Sequence, residues 1–247
     1  MTDFGVEEAQ DLLACFQEAG GITRSLPERM ADKVAEDIIR GVYAPGQPLL
    51  EITLAESFDV SRGPVREALR ILEREGLVTI QARRGASVKV LSPCDVRQIF
   101  SVRAVLYGLV ASEIARQPGP EVLEDLHAGS HALDAALEEG GAERFLPLLY
   151  RLSMYLAKAG NNACAYSILF SQGRQTLSTT RRAMLKDANR RTWTRDWKRI
   201  VAAIEARDPV AAEKAARTLV ENVYAATRVL LPPEDAAGGS SRPNTKR

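Results

Sequence analysis

Hydrophobic positions along this chain recur at helical spacing, then at every second position, then at helical spacing again. Val6, Ala9, Leu12, Leu13 and Phe16 lie three and four apart, and Gly20-Gly21 closes that stretch. This predicts a helical extension over residues 1–24, with one apolar face docked on the rest of the protein. A second helix is predicted over residues 27–41, with Ser25 as its N-cap and Met30, Val34, Ile38 and Ile39 as its buried stripe. Tyr43-Ala44-Pro45-Gly46 forces a turn. Residues 51–58 read as a short helix, and Asp59-Val60 is a tight link. Ser61 caps a longer helix that faces inward at Val65, Leu69 and Leu72 and ends at Gly76.

Beyond Gly76 the period drops to two. Leu77-Val78-Thr79-Ile80 and Ala86-Ser87-Val88-Lys89-Val90 read as two strands joined by the charged turn Arg83-Arg84-Gly85. Helix, turn, helix and a basic-tipped hairpin is the layout of a winged helix-turn-helix, assigned to residues 25–92. After the linker Leu91-Ser92-Pro93 the helical period returns. Ile99, Val102, Leu106, Leu109, Val110 and Ile114 predict one long amphipathic helix, and Leu123, Leu126, Leu133 and Leu137 a second. Further helices are predicted over residues 145–158, 163–177, 181–187, 193–207 and 209–229. With no strand signal, residues 93–231 read as an all-α bundle. From Pro232 onward, Gly238-Gly239-Ser240-Ser241 and a basic end predict a disordered tail over residues 232–247. The fold class is therefore mainly α: an N-terminal winged helix-turn-helix followed by an all-α helical bundle.

Composition changes this picture little. Of 247 residues, 45% are hydrophobic and 26% charged, enough for packed cores without metal or disulfide staples. The net charge is +1, and the charges of residues 25–92 nearly cancel, so bulk charge neither supports nor excludes nucleic acid. Cys15, Cys94 and Cys164 form no CxxC pair, which suggests a reducing compartment. No basic and apolar leader opens the chain, and no apolar run approaches the ~18 residues of a membrane span, so a cytoplasmic protein is expected. No Ser-His-Asp, Cys-His or phosphate-loop constellation is visible, which argues against an enzyme.

The candidate chemistry is DNA reading. A recognition helix must bring its first residues against base edges, and Ser61, Arg62, Gly63 and Arg66 suit that need. Ser61 can cap the helix or contact phosphate. Arg62 and Arg66, four apart, share a face, and arginine bonds guanine O6 and N7 with both fingers. Gly63 and Pro64 keep the first turn low for close approach. In the hairpin tip, Arg83 and Arg84 can enter a minor groove or bond phosphate, while Gly85 permits the turn. Each arginine taken singly reads more readily as solvated surface; their order along one assembly reverses that and favours double-stranded DNA.

Ala44-Pro45-Gly46, Leu54-Ala55-Glu56, Val60-Ser61-Arg62-Gly63-Pro64-Val65-Arg66-Glu67-Ala68-Leu69 and Leu72-Glu73-Arg74-Glu75-Gly76-Leu77-Val78 together resemble the GntR family of bacterial regulators. The helical part, opening Asp95-Val96-Arg97 and continuing Val102-Arg103, is similar to the FCD effector domain of its FadR subfamily. The resemblance spans about residues 25–230. It implies a homodimer on a palindromic operator, usually a repressor relieved by a small metabolite.

Many FCD domains hold a divalent metal on an Asp and three His. Carried over, those positions fall on Leu148, Leu152, near Trp197 and near Leu219, none of which ligates a hard cation. The chain has two histidines, His127 and His131, four apart on a helix outside those positions. They read as exposed or capping residues, with metal chelation as the alternative. No metal or cofactor is therefore expected. Leucines and a tryptophan can line a dry cavity for an apolar or aromatic effector, or simply fill a collapsed one. Arg103 resembles a family arginine that faces the effector and can pair with its carboxylate, and Tyr107 stands where the family commonly has Glu. A second reading of the same fold is a regulator without effector, controlled by a protein partner through the N-terminal extension.

Overall fold

The computed structural model describes residues 24–138 and 141–231; the extension and tail expected at the two ends fall almost wholly outside them. The first unit opens with α1 (Leu26–Arg40). Its start is fixed by Ser25, whose amide and hydroxyl both donate to the Glu28 carboxylate at 2.8 Å. Gly41, at φ +85°, ends it. The short strand β1 (Pro48–Leu49) precedes α2 (Glu51–Phe58) and α3 (Arg62–Arg74). Asp59 takes a left-handed conformation, φ +53°, in the turn between these two helices.

The hairpin β2 (Val78–Gln81) and β3 (Gly85–Val88) completes a three-stranded antiparallel sheet of order β1-β3-β2. Its register sets Val78 opposite Val88 and Leu49 opposite Ala86. β1 is not predicted from the residue pattern, because two residues are too few for alternation to register. Val65, Leu69 and Leu72 of α3 are buried with Met30, Val34 and Ile38 of α1, so the apolar stripes of the two helices form the core. Fully burying a residue such as Leu72 contributes about 1.5–3 kcal/mol.

The second unit contains α4 (Pro93–Arg116), α5 (Pro120–Glu138), α6 (Ala142–Ala159), α7 (Ala163–Met184), α8 (Asp187–Glu205) and α9 (Pro209–Arg228). A reciprocal cap opens α4: the Asp95 amide donates to Ser92 Oγ at 3.1 Å, and the Ser92 amide to Asp95 Oδ2 at 2.9 Å. α4 lies along α9, α9 along α8, and α6 packs on α7 and α5. The helix expected over residues 181–187 does not exist as a separate element. α7 runs unbroken to Met184 and α8 starts at Asp187, with the break at Leu185-Lys186. No glycine or proline marks that break, so the pattern alone misplaced it.

Over an 18-residue window α4 has mean hydropathy 1.3, so by length and composition it could cross a bilayer. This corrects the expectation that no stretch qualifies: scattered polar residues hid it from a search for unbroken apolar runs. Half of that window is buried within the bundle.

Candidate DNA-reading face and effector cavity

Ser61 stands at the N-cap of α3, with Arg62 and Gly63 exposed in its first turn and Arg66 one turn on. The structure thus gathers all four on the outer start of a helix whose opposite face is core. Arg66 is not a free guanidinium. Its Nε donates to Glu51 Oε2 at 2.8 Å, across from α2. That contact spans fifteen residues and engages Nε, so the two terminal nitrogens of Arg66 are not used by it. Farther along, Glu67 lies 3.9 Å from both Arg70 and Arg74. Such exposed pairs contribute little to stability.

The hairpin is fastened to α3 where the Ile80 amide donates to Glu73 Oε1 at 3.0 Å. At its tip the Arg84 amide donates to the Gln81 carbonyl at 3.1 Å, closing a tight turn. Within it Arg83 sits at φ +66°, followed by Gly85 at φ +80°. Gly85 accepts this at no steric cost, whereas a non-glycine residue there is strained by about 1–2 kcal/mol. A strained arginine at an exposed tip is a candidate for function rather than for packing.

In the bundle a cavity of about 50 Å³ is enclosed by α4, α6, α7, α8 and α9. Arg103, Tyr107, Trp197 and Leu219 all line it. Leu148 and Leu152 do not: both are buried elsewhere, with Leu152 packed over Gly129 of α5. The α6 side chains at the cavity are instead Leu149, Tyr150 and Ser153, among others. One position along a helix turns a side chain by about 100°, enough to move it to another face.

Arg103 Nη1 donates to Thr176 Oγ1 of α7 at 2.9 Å, and the guanidinium lies 4.9 Å from the centre of the Phe100 ring and 5.8 Å from that of Tyr107. Burial pushes the Tyr107 hydroxyl above its ordinary pKa, opposed by the nearby Arg103 charge. Among the described residues neither Arg103 Nε nor Trp197 Nε1 has a hydrogen-bond partner, although both are buried. An unpaired buried donor costs about 1–3 kcal/mol, so two of them in one wall ask for an acceptor.

Among the described residues no Asp, Glu, His or Cys lines this cavity. Among the described residues no three such side chains cluster anywhere, so the donor set does not fit the metal that related domains hold. His131 is exposed, and His127 Nε2 lies 3.5 Å from Glu205 at the surface.

A second feature joins the two units. Arg174 of α7 is fully buried and reaches Glu75 at 2.9 Å and Asp32 of α1 at 3.2 Å. Arg24 reaches the same Asp32 at 2.9 Å. Burial raises the pKa of Asp32 and of Glu75, and the Arg174 charge opposes it. Next to Arg174, Gln175 packs so closely on Gly76 (φ +75°) that a Cβ there would stand 2.6 Å from its amide carbon. The opposite face of the same helix carries Gly173, Leu177 and Thr180 into the cavity wall. Glu75 and Gly76 end the recognition-type helix, so α7 touches both the cavity and that helix. Nothing in the sequence pairs residue 174 with residues 32 and 75, because local pattern carries no information about contacts a hundred residues apart.

Comparison with known proteins places these two units separately. Residues 26–88 match the model of the bacterial regulatory proteins of the gntR family, and residues 98–222 match the FCD domain. The chain is 35% identical over 103 residues to the HTH-type transcriptional regulator YdhC of Bacillus subtilis, covering 42% of this chain and 46% of that protein. It is 32% identical over 117 residues to the gluconate operon transcriptional repressor of Bacillus licheniformis, covering 47% and 48%. Each match spans about half of the relative's length. The fold is similar to that of Escherichia coli McbR/YncC, with a TM-score of 0.74 and 18% identity over 84% of this chain and 99% of that one.

Proposed function

Because the chain belongs to the gntR family of bacterial regulatory proteins and carries an FCD effector domain, we propose that it is a repressor that reads a palindromic operator as a homodimer and is released by a small apolar or aromatic acid, without a metal. The observation that carries the DNA reading is the assembly of Ser61, Arg62, Gly63 and Arg66 at the exposed start of α3, beside a wing tipped by Arg83, Arg84 and Gly85. Arg62 and Arg66 read base edges, with Glu51 holding Arg66 by one nitrogen so that its fork is preset. Arg83 and Arg84 contact backbone or minor groove, which explains an arginine kept in a strained turn.

The acid effector rests on the two buried donors, Arg103 Nε and Trp197 Nε1, in a wall whose other polar groups are the hydroxyls of Tyr107, Tyr150, Ser153 and Thr180, with no carboxylate among the described residues that line it. A ligand carboxylate meets both, while Tyr107, Leu219 and the Leu149 face of α6 hold its apolar body. Leu148 and Leu152 serve as packing behind that wall. At about 50 Å³ the cavity must widen to admit such a ligand, and α7 is the wall that also bears on the DNA reader. Dimerisation uses Val102, Val105 and Leu109, exposed one or two turns apart on α4 and apolar without a covering partner among the described residues.

Titration of the full chain on the intergenic DNA upstream of its own gene tests the reading. A fragment bound at least tenfold tighter than a scrambled one, and released by an aromatic or aliphatic carboxylic acid, is the expected result. Equal, salt-insensitive affinity for both fragments contradicts it.

A further inference from the structure

The bundle cavity is not the roomiest concavity in this molecule. A cleft of about 360 Å³ lies between the two units, walled by α1 and the base of the wing on one side and by α7 on the other, with Leu230 and Leu231 at its margin. Its floor is apolar, from Ile38, Ile39, Leu77 and Val88. Among the described residues its charged lining is entirely cationic: Arg40, Lys89, Arg174, Arg181 and Arg182. Three of these are already neutralised, Arg40 by Glu36, Arg174 by Asp32 and Glu75, and Arg181 by Glu143. Lys89 and Arg182 are exposed and make no close ion pair with a described residue, although the Asp95 carboxylate lies near enough to Lys89 to feel its charge. Ser178 and Thr179, one helical turn before Arg182, add two hydroxyls to the same wall.

An apolar floor beneath two exposed cations that form no close ion pair is complementary to one kind of ligand. We infer that this cleft binds a small amphipathic anion, its hydrocarbon body on Ile38, Ile39 and Leu77 and its carboxylate or phosphate on Lys89 and Arg182. The volume suits a body of on the order of a dozen water-sized groups at about 30 Å³ each. Ser178 and Thr179 donate hydrogen bonds to the head group, and the cationic pair strengthens them. This site is distinct from the bundle cavity: the two share no lining residue.

Its place makes it a coupling site. Gly76 and Leu77, directly after α3, form one wall, and Arg174 and Gln175 of α7 the other. A ligand wedged there bears on the ion pairs of Arg174 with Asp32 and Glu75, which fasten the DNA reader to the bundle. Binding at this cleft does not rest on the DNA reading and is measured without DNA.

Calorimetric titration of the full chain with octanoate tests the inference, with 1-octanol as the uncharged control. Octanoate is expected to bind at least about tenfold tighter than the alcohol, the scale of a charge-assisted contact. Lys89→Glu with Arg182→Glu, both at exposed positions, is expected to lose at least that factor, while Lys89→Arg with Arg182→Lys retains the affinity. No binding, equal affinity for the alcohol, or full affinity in the charge-reversed protein overturns the inference. So does dissociation of a dimer by the charge reversal, which would make the cleft a contact between copies. Binding seen only after removal of residues 232–247 also overturns it, with the protein's own tail then the occupant.

Discussion

In the DNA reader the candidate contacts stand in water on a rigid frame; in the bundle they are buried around about 50 Å³ of space. Side chains of the first kind are placed by their own helix and turn, so a short motif specifies them. Side chains of the second kind are placed by five helices converging, and one residue of register decides whether each reaches the cavity. The difference teaches where change is cheap. Exposed arginines can be exchanged without disturbing the fold, whereas a change inside the bundle alters packing and binding together.

The sharpest way to break the comparison is at the junction of its two halves. Arg174→Ala leaves Asp32 buried with only Arg24 opposite it and is expected to lower stability by about 3–5 kcal/mol. Urea unfolding measures this. Removing charge from both sides, Arg174→Met with Asp32→Leu, is expected to cost less than the single change. If the single change costs under about 1 kcal/mol, the two units are not fastened by this contact.

Arg62→Ala and Arg66→Ala are expected to weaken operator binding by about 1–3 kcal/mol each and to relax discrimination at one base pair. Thermal unfolding should be almost unchanged, since both side chains are exposed. Glu51→Ala sharpens the point: it removes the acceptor that holds Arg66 and is expected to cost affinity on the operator more than on scrambled DNA. Smaller and opposite in sign is Arg83→Gly. It relieves a left-handed arginine, so stability is expected to rise by about 1 kcal/mol while DNA affinity falls. A variant that gains stability and keeps full affinity would show that the strain serves nothing at the wing.

The smallest effect lies at the start of α4. The Ser92 hydroxyl, and secondarily its amide, hold the Asp95 carboxyl below its ordinary pKa. A depressed carboxylate stabilises above its unfolded pKa, and that contribution is lost as pH falls through the lowered value. Ser92→Ala is therefore expected to cost about 1 kcal/mol at neutral pH, with the gap to the parent narrowing as the solution is acidified below the ordinary carboxylate range. Urea titrations at several pH values follow it.

How far the sequence carried follows the same division. Winged helix, bundle and the clustering of Ser61, Arg62, Gly63 and Arg66 were legible because capping, helical period and turn residues act over a few positions. The strand β1 and the break at Leu185-Lys186 were not, the first for brevity and the second for want of a glycine or proline. Of the residues picked out by the resemblance, Arg103, Tyr107, Trp197 and Leu219 line the cavity and Leu148 and Leu152 do not. The bond from Arg66 to Glu51 and the burial of Arg174 between Asp32 and Glu75 depend on how elements pack, and no local pattern encodes them.

On the proposed function, α3 reads bases while the wing holds the DNA backbone. Fluorescence anisotropy of the parent, Arg66→Ala and Arg84→Ala on operator and scrambled duplexes, across a series of salt concentrations, tests it most directly. The expected result is loss of operator preference in Arg66→Ala, against an even loss on both duplexes in Arg84→Ala with a salt slope shallower by about 1. Operator preference left intact in Arg66→Ala and lost in Arg84→Ala would contradict it.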